Sequence, residues 1–224
     1  MLRPLTELIN QEDPAWPLVK DWMSQASNKV EVLRIADQKV ADEALFLSQV
    51  TTRSPMGALV YQTGGLLIDN GWIRILGGGS AELQRTLPSW NKDKTYTNST
   101  REAGYLLVAD DVLGGLFAIN GGLLGKDVGK MYYFAPETLA FEALEISYSQ
   151  FLSFCFNGDL DDFYGPMRWK TWVGDMQQLT PDQAFSFMPF LWTAEAKNLD
   201  NYTWKVVPVE ELYQVQQEFC QQLG

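Results

Sequence analysis

The chain has 224 residues, a formal net charge of −11 and no histidine. That absence removes Ser-His-Asp and Cys-His catalysis, His-Glu-x-x-His zinc sites and histidine-based pH switching. Eight Trp, twelve Phe and nine Tyr supply ample core material and argue against disorder.

The acidic charge is unevenly spread. Residues 1–103 carry 11 basic and 12 acidic side chains, whereas residues 104–165 carry nine acidic groups against Lys126 and Lys130, a net of −7. Residues 166–224 add four basic and seven acidic groups, a net of −3. Phosphate-backbone affinity needs clustered Lys and Arg, so the expectation is no nucleic-acid partner. The longest apolar runs, such as Gly64 to Ile68 and Met131 to Ala135, are far too short for a membrane span. With a polar, acidic start and no signal-peptide pattern, the chain reads as soluble and cytoplasmic, with no membrane partner. Cys155 and Cys220 lie in apolar helical patterns outside any Cys-x-x-Cys motif, so both are expected as free thiols.

In chain order, Asp13-Pro14 offers an N-cap followed by proline and predicts a helix from Pro14 to about Ala26. Val30 to Arg34 alternates as a short strand. Asp37 caps a second predicted helix, Gln38 to Val50, with Val40, Ala44, Leu47 and Val50 as its apolar face. Ser54-Pro55 opens a third helix that ends at Gly64-Gly65. Leu66–Ile68 and Trp72–Leu76 flank Asp69-Asn70-Gly71, a hairpin signal of the type I′ kind. The polar segment at about 81–103 reads as a long surface loop.

Between Tyr105 and Leu144, short apolar runs alternate with Gly114-Gly115 and Gly121-Gly122, predicting strands at about 105–109, 115–119, 129–134 and 138–143. Ser147 to Gln150 forms a Ser-x-x-Gln capping box before the helical run Phe151 to Phe156, stopped at Asn157-Gly158. A helical C-terminal elaboration is expected from about 147, with a broken apolar run from Phe185 to Trp192 and a terminal helix from Pro208. The expected fold class is therefore α+β, one domain over 1–224. Its mainly antiparallel sheet, a hairpin plus a meander, is packed by N-terminal and C-terminal helices.

Candidate chemistry is sparse. Gly121 to Asp127 differs from a phosphate-binding loop in glycine spacing, in Asp127 where a Ser or Thr is needed, and in the strand that follows. Asn157 to Asp162 fails as a calcium loop, because Asp162 and Arg168 stand where Gly and a bidentate Glu are required. No metal and no cofactor is expected. Asp110-Asp111 sits at a strand end, where paired acid and base work would require both carboxylates to face one pocket; a solvated turn is the simpler expectation. Most tryptophans read as core, but Trp90, in Pro88-Ser89-Trp90-Asn91 beside the polar loop, is a candidate contact residue.

The motifs Asp13-Pro14-Ala15-Trp16-Pro17, Thr52-Arg53-Ser54-Pro55, Asp69 to Gly77, Leu87 to Asn91, Asn120-Gly121-Gly122, Tyr133 to Pro136, Gly158-Asp159-Leu160 and Arg168-Trp169 together resemble a bacterial family catalogued as domain of unknown function 2625. That resemblance implies no catalytic residues. From Tyr105 to about Asn157, the strands, the glycine-rich turn and Ser147 to Leu152 also resemble the SUKH superfamily of Smi1/Knr4-like proteins. Many bacterial members of that superfamily are implicated as immunity proteins, which implies an α+β interaction scaffold.

The leading reading is a non-enzymatic protein-interaction domain whose acidic surface binds a basic protein, in the manner of immunity toward a basic toxin. Its candidate partner-binding residues are Asp110, Asp111, Glu142, Asp159, Asp161, Asp162 and Trp90. Two alternatives stand beside it. One is a small-molecule-binding protein or carboxylate-based hydrolase using Asp110, Asp111 or the Asp159–Asp162 cluster. The other is a homo-oligomeric structural protein.

Overall fold

The computed structural model describes residues 2–95, 104–193 and 198–223. Helices α1 (Leu5–Leu8) and α2 (Trp16–Ser24) precede strand β1 (Val30–Leu33), followed by α3 (Gln38–Ser48) and α4 (Pro55–Gln62). Strands β2 (Gly65–Ile68) and β3 (Ile73–Leu76) then lead to α5 (Leu87–Asn91) and to β4 (Tyr105–Asp111), β5 (Leu116–Asn120), β6 (Met131–Ala135) and β7 (Ala140–Ala143). The C-terminal part holds α6 (Tyr148–Asn157), α7 (Leu160–Tyr164), α8 (Trp172–Asp175), β8 (Gln183–Met188), β9 (Thr203–Pro208) and α9 (Val209–Leu223). The class is α+β, with one seven-stranded antiparallel sheet in the order β1 to β7 and a separate β8–β9 pair.

Local side-chain capping explains most helix starts. Asp37 accepts from the Lys39 amide, Ser54 from the Gly57 amide, and Ser147 with Gln150 forms the expected capping box. Asp13 does not cap. Helix α2 begins at Trp16 with Ala15 in the cap position, and the Asp13 carboxylate pairs instead with Arg53 at 3.2 Å. On α3 the buried face is Ala41, Ala44 and Leu45, while Val40 and Leu47 are exposed. The helix is thus rotated from the expected apolar stripe, so that small residues allow close approach to its neighbours.

The β2–β3 turn also differs from expectation. Ile68 pairs with Ile73, so the turn has four residues, with Asp69, Asn70 and Gly71 at φ 48°, 59° and 86°. Asp and Asn tolerate this left-handed region better than most side chains, and Gly adopts it freely. The expected hairpin and meander are one sheet, because β3 pairs directly with β4 across the connecting segment. That segment is not simply a surface loop. It carries α5, capped by Thr86 and Ser89, and buries Leu83, Leu87, Trp90 and Asn91. The remainder of the expected loop, 96–103, lies outside the described residues. The C-terminal part is likewise not purely helical, since the apolar run beginning at Phe185 belongs to strand β8, whose register sets Phe185 opposite Val206.

Cross-strand register divides the sheet into two faces. One carries the row Leu67, Arg74, Asp110, Leu116, Phe134 and Phe141; the other carries Ile75, Ala109, Phe117, Tyr133 and Glu142. Phe151 of α6 packs on Phe117 at 4.8 Å and Phe163 of α7 on Tyr133 at 5.4 Å, covering the second face. On the first face, Tyr213 of α9 is hydrogen-bonded to Tyr105, whose ring lies 5.2 Å from Phe141.

One packing defect is visible at that helix. Gln216 of α9 is 1% exposed, and neither amide atom has a hydrogen-bond partner among the described residues. It presses on Gly114, where a Cβ would lie 2.6 Å from its Nε2. An unpaired buried amide costs about 1–3 kcal/mol. Gln216→Met keeps the volume and removes the polar group, so its urea midpoint should rise. An unchanged or lower midpoint would show that the amide is satisfied in solution.

Candidate functional site

Two of the expected site residues, Asp110 and Trp90, are brought together, although neither is exposed. Asp110 is not in a solvated turn; it is an interior strand residue with 0% exposure. Arg74, directly opposite on β3, donates from Nε to Oδ1 at 2.6 Å, and Arg85 Nη1 donates to Oδ2. Arg85 continues the chain of charges outward. It donates from Nε to Asp182 Oδ1 at 2.8 Å and from Nη2 to the Pro181 carbonyl at 3.0 Å. Burial works against its positive charge, but Asp110 and Asp182 outweigh that, and its pKa rises from the ordinary value.

The Arg85 guanidinium lies 4.6 Å from the centroid of Trp90, and the Lys94 ammonium lies 4.2 Å from it. Lys94 also pairs with Glu210 of α9 at 2.8 Å. Trp90 itself is only 2% exposed, so it supports these cations by cation–π attraction and offers no open face to a partner. Above them is a groove of about 380 Å³ lined by Arg85, Ser89, Trp90, Lys94, Asp182 and Glu210. Its cations and anions already pair with one another, which makes it a structural clamp between α5, β4 and α9.

Asp111 is also buried rather than solvated, with 0% exposure, but faces the other side of the sheet. It accepts from Tyr133 Oη at 2.7 Å, Tyr164 Oη at 3.1 Å, and the Leu113 and Gly115 amides at 2.9 Å each. Burial pushes its carboxyl up from the usual range, partly countered by these donors and by Arg74. Gly115 is required here, because a Cβ would fall 2.3 Å from both Asp111 Oδ2 and Tyr133 Oη. Asp110 and Asp111 therefore sit on opposite faces, each committed to interior partners. They do not form the paired acid and base that a carboxylate hydrolase requires.

The other expected residues are exposed. Asp159 caps α7 by accepting from the Asp162 amide at 2.9 Å, and Asp161 pairs with Arg168. Glu142 projects from β7 opposite Tyr133, on the face that α7 covers, and accepts from Thr138 Oγ1 at 3.3 Å. Glu137, at the start of the β6–β7 connection, is exposed as well. Partial burial, then the Asp111 and Glu142 carboxylates, raise its carboxyl above the ordinary range. Among the described residues, Glu137, Glu142, Asp159 and Asp162 have no ion-pair partner within 4.0 Å. No group of three or more Cys, Asp or Glu side chains among the described residues is arranged to hold a metal ion.

The residues that sequence reasoning missed are the cations. Arg74 stands between Ile73 and Ile75 in a strand whose residues are all buried, which is itself a signal that it needs an interior anion. Arg168 lies 4.9 Å from the Trp72 ring and 4.3 Å from the Trp172 ring while pairing with Asp69 and Asp161. It ties the β2–β3 turn to the α7–α8 region. At the β5–β6 connection, Asn120 Oδ1 accepts from the Gly122 amide at 2.7 Å and the Leu124 amide at 3.1 Å, so the glycine run there is a hairpin loop. Among the described residues, no helix is long and apolar enough to cross a membrane.

Comparison with known proteins shows the family and indicates no function. The chain is 45% identical over 215 residues to the uncharacterized protein YbfG of Escherichia coli (strain K12), covering 96% of each chain. It is 42% identical over 213 residues to an uncharacterized protein of Haemophilus influenzae (strain ATCC 51907 / DSM 11121 / KW20 / Rd), covering 95% of this chain and 93% of that one. No solved structure matches. The model of the family described as "Protein of unknown function DUF2625" matches residues 5–212, and the chain belongs to that family.

Proposed function

We propose that this chain is a non-enzymatic interaction protein that uses an acidic surface to hold a basic protein partner. The observation that carries the reading is the division among its carboxylates. Asp110 and Asp111 are consumed by the interior, whereas Glu137, Glu142, Asp159 and Asp162 are exposed and have no cationic partner within the described residues. Glu142 and α7 share one face of the sheet, since Glu142 stands opposite Tyr133 and Tyr133 packs on Phe163. A positive partner surface there would be drawn in by charge complementarity. The SUKH-like pattern of residues 105–157 favours an immunity-type partner, a basic toxin domain.

Capture of partners from the native cell at low and moderate salt tests this reading, using the wild type and a Glu137→Gln/Glu142→Gln/Asp162→Asn variant. A stoichiometric basic protein should be retained by the wild type, weakened by salt and lost in the variant. Partners retained equally by the variant, or insensitive to salt, would count against the acidic surface.

A further inference from the structure

We infer that the free edge of β7 receives a basic extended segment of the partner by strand addition. The inference rests on the acidic-surface reading and gives it a binding mode. Strand β7 is the last of the seven and, among the described residues, pairs only with β6. Leu144 donates to the Met131 carbonyl at 3.0 Å, toward β6. Antiparallel alternation then turns the Glu142 and Ala140 amides the same way, and leaves the amides and carbonyls of Phe141 and Ala143 directed away from the sheet. Ala140, Glu142 and Ala143 are exposed, and the two alanines leave the backbone open to close approach.

Charge selects the occupant. Glu137, Glu142 and Glu145 are exposed along this edge, and Lys130 spends its ammonium on the Glu145 carbonyl at 3.3 Å. The opposite edge of the same sheet, β1, carries one exposed carboxylate, Glu31, between Lys29 and Arg34, and so offers a basic strand no net negative charge. Sheet edges are commonly blunted by lysine, proline or bulges, and β7 itself contains none of these. It is instead bracketed by two non-glycine residues in the left-handed region, Leu139 at φ 54° and Glu145 at φ 59°. Main-chain hydrogen bonds to Phe141 and Ala143 would supply affinity, and lysine or arginine side chains beside Glu137, Glu142 and Glu145 would supply selectivity.

The test uses the full chain and a synthetic peptide of alternating lysine and valine, with a glutamate–valine peptide as control. Amide hydrogen exchange at Phe141 and Ala143 should slow by about tenfold or more when the basic peptide is added, with β1 amides unchanged. Ala143→Pro removes one outward amide at an edge position where proline is tolerated, and should weaken peptide binding by about tenfold. Protection at β1, or no protection at either edge, overturns the inference. Salt-sensitive binding that Glu137→Gln/Glu142→Gln abolishes, but that leaves Phe141 and Ala143 exchange unchanged, overturns strand addition while leaving the acidic surface standing. Should Ala143→Pro fail to fold, the exchange measurement on the wild type decides alone.

Discussion

Asp110→Ala should lower stability by about 3–5 kcal/mol, one of the two largest losses expected from a single substitution in this chain. Arg74 is 1% exposed, and Asp110 is its one ion-pair partner among the described residues. Removing the carboxylate leaves a guanidinium charge in the sheet interior without its hydrogen-bonded counter-ion, and leaves Arg85 hydrogen-bonded to Asp182 and Pro181. The cost is that of stranding a charge, and it exceeds the net contribution of the intact pair. Arg74→Met combined with Asp110→Leu removes both charges, so the double variant should recover most of the loss of Asp110→Ala. Urea unfolding of all three proteins checks this. A single-variant loss below about 1 kcal/mol would mean that water reaches Arg74.

Trp72→Ala should cost a similar amount, about 3–5 kcal/mol. Trp72 is 0% exposed, and its ring centroid lies 5.4 Å from Tyr164, 5.8 Å from Trp169 and 5.0 Å from Trp172. It also carries Arg168 on its face, so the substitution opens a large void and removes a cation–π contact together. Because Trp72 lies in the β2–β3 turn and its carbonyl accepts from Val112 at 3.1 Å, the damage should spread to the end of β4. Trp72→Phe, which keeps a ring, should lose distinctly less in thermal unfolding. Equal losses for Phe and Ala would show that ring packing is not what the site supplies.

The elements that were legible from sequence are those whose cause is local. Asp37, Ser54 and Ser147 cap helices through amides two or three residues away, and the strands from Tyr105 to Ala143 are marked by their glycine and aspartate connections. Asp13-Pro14 misled because the Ala15 amide that Asp13 would cap donates instead to the distant Thr52 carbonyl at 2.8 Å. The β8–β9 pair was hidden because its strands are separated by a long connection without a hairpin signature, and Pro189 made the apolar run look broken. The interior role of Asp110 was illegible for the same reason: Arg74 and Arg85 are 36 and 25 residues away in the chain. Adjacent carboxylates on a strand end look solvated until their distant cations are placed. Glu142 and Asp159 were legible as surface charge because nothing distant changes their environment.

The strict β1-to-β7 order of the sheet has a kinetic consequence. Every strand pairs with its neighbour in the chain, so six successive antiparallel pairings assemble the sheet. Pairings β4–β5, β5–β6 and β6–β7 close through short connections and carry little chain-closure entropy. The expensive closures are β1–β2, which must span α3 and α4, and β3–β4, which must bring Leu76 and Tyr105 to either side of α5. The Tyr105–Ala143 portion can therefore zip as a local unit, with the Arg74–Asp110–Arg85 contacts forming when the earlier strands dock onto it. Folding order is thus written into a sheet whose sequence order and spatial order coincide.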